Sequence, residues 1–136
     1  MTPKSALVKD YMTGQLITFH PETDVLDAIH ELVSHGIAGA PVTDDHGELV
    51  GMLSELDCMK IALHAGYHGN MGGPVSDYMT PNVETVDADM SIIDLAQRFL
   101  DTNFRRFPVL KDHRLVGQIS RRDVLRALSH LSVSGK

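Results

Sequence analysis

A single cysteine, Cys58, is all the thiol chemistry this 136-residue chain carries. That scarcity excludes an intramolecular disulfide framework and any Cys-rich zinc site, and it suits a reducing compartment. There is also no run approaching the roughly twenty apolar residues that a membrane span requires. With 43% of its residues hydrophobic, the chain is expected to bury a real core without inserting into a bilayer. Residues 1–16 hold lysines but neither a long apolar stretch nor a small-residue cleavage pattern. Nothing there reads as a secretory signal, and a cytoplasmic setting is expected.

Surplus positive charge is lacking as well. The formal net charge is −6, which argues against a surface built to neutralise the phosphates of a nucleic acid. Arginine is missing from the first part of the chain altogether. Every arginine lies between Arg98 and Arg126, while residues 1–68 hold only Lys4, Lys9 and Lys60 against ten acidic side chains. A bound anion is expected in the second half, unless these arginines simply form a solvated face. No paired carboxylates with a supporting site, no Ser-His-Asp or Cys-His set and no Walker or dinucleotide fingerprint can be traced, so an enzyme is the poorest reading.

What the chain does have is an internal repeat. Val8-Lys9-Asp10-Tyr11-Met12-Thr13 recurs as Val75-Ser76-Asp77-Tyr78-Met79-Thr80 at an offset of 67, and Pro41-Val42 meets Pro108-Val109 in the same register. After one deletion the offset becomes 66, pairing Leu49-Val50-Gly51 with Leu115-Val116-Gly117, Ser54 with Ser120 and Asp57 with Asp123.

The punctuation of each copy predicts β-α-β-β-α. Leu16–Phe19 and Val83–Val86 have the β-branched and aromatic content of short strands. A helix follows, capped by Thr23 or Asp24 and stopped by a left-handed Gly36, with Asn103 at the matching stop. Ala40–Thr43 and Leu49–Leu53 flank Asp44-Asp45-His46-Gly47 as a hairpin, repeated by Phe107–Leu110 and Leu115–Ile119. A second helix begins at Ser54 or Ser120. The expected fold is α+β, with two repeats at 5–66 and 75–130 joined by a glycine-rich linker at 67–74. Each copy alone buries too little, so the two are expected to pack about a pseudo-two-fold axis with a ligand cleft between them.

Gly51-x-x-Ser54-x-x-Asp57 and Gly117-x-x-Ser120-x-x-Asp123 stand where a strand runs into a helix. Unpartnered N–H groups of a first helical turn attract phosphate, and a carboxylate nearby can accept ribose hydroxyls. A serine N-cap with an acidic residue three positions on is equally a capping box that needs no ligand. The two roles can coexist.

These residues resemble the cystathionine-β-synthase (CBS) domain, a family found as tandem pairs. The resemblance rests on Met12-Thr13 and Met79-Thr80, on Pro41-Val42 and Phe107-Pro108-Val109, and on Leu49–Ser54 and Leu115–Ser120 with the aspartate that follows each. It implies a regulatory module that binds AMP, ADP or ATP, with S-adenosylmethionine or NAD as second choices and no catalytic cofactor. Carried over residue by residue, Asp123 and Ser120 would hold ribose and Arg106 the phosphate, with Arg105 and Ile119 beside them. Thr13, Leu16 and Ile17 would join from the other copy's leading segment. A second site would use Asp57, Ser54, Thr80 and Val83, but Gly39 and Ala40 replace Arg106 and Phe107, so it lacks the phosphate ligand. The resemblance also implies a homodimer and an output on a separate protein in trans. The competing reading is a scaffold in which the serines and aspartates only cap helices.

Other groups read more plainly. His64 and His68 are four apart but lack a completing carboxylate, so a solvated helix end outranks a metal pair. Cys58, near a helix start where a thiol pKa can fall, reads as a small core residue. Met12 and Met79 read as gap fillers, and Arg121, Arg122 and Arg126 as an exposed helix face, with Arg121 and Arg122 alternatively adding to a phosphate pocket.

Overall fold

Apolar spacing, hairpin turns and serine stops set ten elements along the chain. In order they are α1 (Val8–Tyr11), α2 (Val25–His35), β1 (Gly39–Thr43), β2 (Leu49–Ser54), α3 (Glu55–His68), β3 (Val86–Asp87), α4 (Ile92–Asp101), β4 (Arg106–Lys111), β5 (Arg114–Ser120) and α5 (Arg121–Ser134), with a 3-10 turn at Val75–Asp77. The structure, a computed structural model, describes residues 6–14, 16–68 and 72–134. Two compact units result, one of residues 17–83 and one of residues up to 16 together with those from 84 onward. The units of packing are therefore not the units of repetition, because each holds the leading segment of the other copy.

In the 17–83 unit, β1 and β2 pair antiparallel with Gly39 opposite Ser54 and Val42 opposite Gly51. Helix α2 lays Val25, Ala28 and Leu32 on them at helical spacing, and the core also takes Phe19, Leu53 and Val75. Gly36 adopts φ +62 and ends α2 as expected. Asp24 is the N-cap residue, but its side chain makes no capping bond. In the other unit β3, β4 and β5 form one sheet, parallel between β3 and β4 and antiparallel between β4 and β5. Its core is built from Ile92, Leu95, Phe107, Val109 and Ile119.

The expected strand at Leu16–Phe19 shrinks to one parallel bridge, Phe19 beside Val42. Pro41 explains it. The Phe19 N–H donates to the Pro41 carbonyl at 3.0 Å, so the N–H that proline lacks would face the same neighbour, and the ladder cannot extend past Phe19. Pro108 stands at the same place in β4, and there the strand is two residues long, Val86–Asp87, rather than Val83–Val86. Asn103 is not the left-handed stop of α4. That helix ends one residue earlier, at Thr102, which is extended and donates its hydroxyl to the Arg98 carbonyl at 2.9 Å. Helix α3 runs on to His68, into the stretch expected to be linker.

The leading segments are held by strand-like pairing. Thr13 exchanges N–H···O bonds with Gln118 of β5 at 2.9 and 3.0 Å, and Thr80 does the same with Met52 of β2 at 2.8 and 2.9 Å. Glycine makes this approach possible. A Cβ on Gly117 would lie 2.7 Å from the Thr13 carbonyl, and one on Gly51 would lie 3.0 Å from that of Thr80. Met12 and Met79 cross above these glycines and pack against the two cores, as gap fillers should.

Candidate functional site

Each strand-to-helix junction is a closed capping box. At α3 the Ser54 N–H and hydroxyl donate to Asp57 Oδ2 at 2.9 and 3.0 Å, and the Asp57 N–H donates back to Ser54 Oγ at 3.2 Å. At α5 the Ser120 N–H and hydroxyl reach Asp123 Oδ2 at 2.8 and 3.0 Å, and the Asp123 N–H returns to Ser120 Oγ at 3.2 Å. The capping role is thus real in both copies.

The other carboxylate oxygen separates them. Asp57 Oδ1 accepts from the Thr80 hydroxyl at 3.2 Å and from Lys60 Nζ at 3.1 Å, and the side chain is only 8% exposed. Burial pushes the Asp57 pKa up, but the Ser54 amide, the Lys60 ammonium and the Ser54 hydroxyl outweigh it and hold the carboxyl below its ordinary value. Asp123 Oδ1 meets Arg126 at 3.2 Å, a side chain half in solvent, and is itself 18% exposed. Among the described residues, Thr13, the counterpart of Thr80, bonds to β5 through its backbone alone. A hydroxyl of a ligand can therefore take on Asp123 the place that Thr80 fills on Asp57.

The arginines gather around this second box. Arg106 begins β4 directly opposite Ser120, which puts the two side chains on one face of the sheet. Arg105 is exposed just before it, its carbonyl accepting the Arg121 N–H at 3.1 Å. No carboxylate pairs with Arg105 or Arg106 among the described residues. In the first copy Gly39 is opposite Ser54, and a Cβ there would lie 2.9 Å from the Leu53 carbonyl. An arginine cannot stand at that position without moving β2.

The remaining expected residues divide by unit. Thr13 and Leu16 lie in the unit that holds Ser120 and Asp123, whereas Ile17 lies in the other and packs on its core. Ile119 is fully buried opposite Phe107 and belongs to the core. Thr80 joins Ser54 and Asp57; Ala40 is buried, and Val83 is half-buried outside any strand. The pairing of His64 with His68 lies outside what the structure describes. Burial, then the Asp57 and Glu55 charges, push the Cys58 thiol up, the reverse of what a helix start alone suggests.

Two participants escaped the motif. Arg126 is no idle surface residue: its guanidinium donates to the Tyr11 carbonyl at 2.8 Å and lies 5.2 Å from the Tyr11 ring. Lys60 does comparable work on Asp57. Both follow the aspartate by three residues, a helical neighbour spacing that was open to inspection.

A family model for the CBS domain matches residues 8–64 and 75–130, and the chain belongs to that family as a tandem CBS pair. It is 32% identical over 148 residues to the chloroplastic CBS domain-containing protein CBSX2 of Arabidopsis thaliana, covering 88% of this chain and 62% of that protein. The solved structure of CBSX2 in complex with AMP gives a TM-score of 0.81 at 34% identity, covering 94% of this chain and 99% of that one. The CBS domain pair of MJ0100 in complex with 5′-methylthioadenosine and S-adenosyl-L-methionine gives 0.72 at 29% identity, covering 92% and 97%. A further relative, L-aspartate semialdehyde sulfurtransferase of Methanocaldococcus jannaschii, is 30% identical over 121 residues, which cover 88% of this chain but 23% of that enzyme. This chain spans less than two thirds of these two curated relatives. No helix among the described residues is long and apolar enough to cross a membrane.

Proposed function

We propose that the chain is a regulatory module that binds an adenine nucleotide at the start of α5, with Asp123 and Ser120 on the ribose hydroxyls and Arg106, aided by Arg105, on phosphate. The observation that carries this reading is the exposed Arg106, free of any acid partner among the described residues, facing Ser120 across β4 and β5 beside a carboxylate with accepting capacity left. AMP bound to CBSX2 and adenosyl compounds bound to MJ0100 supply the ligand class. On this reading Thr13, Leu16 and Ile119 complete the site. Among AMP, ADP and ATP the arginines favour ligands with more phosphate over S-adenosylmethionine, whose sulfonium is cationic.

Recognition becomes regulation only if the ligand binds one arrangement of the protein better than another. We read the output as acting on a separate protein and the chain as self-pairing, in a cytoplasmic setting and without catalysis of its own. The scaffold reading keeps one specific support: the Asp57 box is saturated by the protein's own donors.

Calorimetric titration of nucleotide-stripped protein with AMP, ADP, ATP, S-adenosylmethionine and NAD tests the proposal. Micromolar binding of an adenine nucleotide, weakened at least about tenfold by Asp123→Ala and by Arg106→Ala, is the expected result. Absence of heat and of a thermal shift with all five leaves the scaffold as the better account.

A further inference from the structure

The carboxylate of each capping box is also tied to the leading segment that completes its sheet, and the two copies make the tie differently. In the 17–83 unit it is direct: the Thr80 hydroxyl donates to Asp57 Oδ1 at 3.2 Å, and Lys60 Nζ shares the same oxygen at 3.1 Å. Among the described residues Lys60 reaches no carbonyl of the leading segment. In the other unit the tie runs through one side chain. Arg126 Nη2 donates to Asp123 Oδ1 at 3.2 Å and to the Tyr11 carbonyl at 2.8 Å, and its guanidinium lies 5.2 Å from the Tyr11 ring. One turn further along α5, His130 Nδ1 meets the Tyr11 hydroxyl at 3.2 Å, so one face of that helix grips Tyr11 at both ends.

The first copy shows that one carboxylate oxygen can accept from a hydroxyl and a cation at once. A ligand hydroxyl on Asp123 Oδ1 therefore does not have to expel Arg126; it extends a chain that runs from ligand to Asp123, Arg126 and the Tyr11 carbonyl. Tyr11 is the last residue of α1, whose Val8 and Lys9 N–H groups donate to the Met90 and Ala88 carbonyls at 2.8 and 2.9 Å. A helix of one turn does not hold by itself, so α1 depends on its anchors. Arginine suits this work because its rigid fork addresses two acceptors together, where an ammonium is a single point charge.

We propose that Arg126 is a positioning residue of the nucleotide site and the link by which occupancy of Asp123 tightens the leading segment. The inference rests on the reading of the α5 junction as a nucleotide site and adds where the signal goes first. By linkage the benefit is mutual. With Tyr11 in place Arg126 is held on Asp123 and the ligand binds better; with the ligand in place the leading segment opens less often.

The test is amide hydrogen exchange of the full chain, read by NMR with and without saturating AMP, ADP or ATP, alongside calorimetric affinities and circular dichroism of each variant to establish folding. In the wild type the nucleotide is expected to slow exchange at Val8 and Lys9 at least about fivefold beyond its effect at Leu95, in the core face of α4. Arg126→Lys keeps a cation for Asp123, as Lys60 serves Asp57, but gives up the fork to Tyr11: it binds within about threefold of the wild type and loses the added protection. Arg126→Ala gives up both, losing the protection and binding at least about fivefold more weakly. A residue that only props up the fold would alter exchange equally with and without nucleotide and leave the added protection in place. A wild type that binds without added protection, or an Arg126→Lys variant that keeps it, overturns the link and leaves the nucleotide site standing. Absence of binding by the wild type overturns the site and the link together.

Discussion

At the start of α3 the Asp57 carboxylate receives the Ser54 amide and hydroxyl, the Thr80 hydroxyl and Lys60, whereas at the start of α5 the Asp123 carboxylate receives, among the described residues, only the Ser120 pair and the half-exposed Arg126. Their surroundings diverge in the same direction. Arg105, Arg106, Arg121 and Arg122 flank the second junction, and Ala38, Gly39, Glu55 and Leu56 hold the matching places at the first. The capping part of the motif is therefore common to both copies, and the part that invites an anion belongs to one. A duplicated signature does not imply duplicated function, because its local structural role is sufficient to retain it.

The sharpest way to break this comparison is to remove each carboxylate. Asp57→Ala is expected to cost about 2–3 kcal/mol, since it strands several buried donors at once, against about 1 kcal/mol for Asp123→Ala, which loses a cap; denaturant midpoints at constant slope measure both. Acid probes Asp57 further. Asp57 has a folded pKa below its unfolded one, so its stabilisation is complete above the ordinary carboxylate value of about 3.9 and is lost as pH falls through the folded value. Asp57→Asn should flatten that limb of a stability–pH curve.

Gly117→Ala comes next, at about 2 kcal/mol, because the added methyl meets not only the Met12 side chain but also the Thr13 carbonyl, a backbone group held in its pairing with β5. Arg106→Ala should leave the melt nearly unchanged while weakening nucleotide affinity about tenfold, or about 1.4 kcal/mol. Thr80→Val, which removes one donor from Asp57, is expected to cost about 1 kcal/mol. Lys60→Ala has the smallest effect, under about 1 kcal/mol, because its ammonium is mostly in solvent and screened.

The repeat, the hairpins, the helix faces and both boxes were legible because each depends on residues close in sequence: a helical period, a turn, a serine three places before an aspartate. The crossing of Thr13 to β5 and of Thr80 to β2 became visible only through the family resemblance, since nothing in local periodicity reports which strand edge a segment will choose. The strand at Leu16–Phe19 failed for a long-range reason as well. Its β-branched content is genuine, but the pairing it needed was vetoed by Pro41 on its neighbour. Arg126 was missed because its decisive partner, the Tyr11 carbonyl, is remote in the chain. Thr80 was expected to serve a ligand alongside Asp57, and the structure places its hydroxyl on that carboxylate; only coordinates could show that it leaves Asp57 so fully engaged.

The exchange of leading segments also orders events in time. The strand edge of β5 is completed by Thr13, which is synthesised about a hundred residues earlier, so during translation that short segment has to wait, unpaired, until its sheet exists. The 17–83 unit contains all its own parts and can close first. The later unit must close a loop around nearly the whole chain, the slow and entropically costly kind of contact. A cut in the connection between the copies would therefore not release two finished halves, but would turn each leading segment into a strand that must find its sheet in trans.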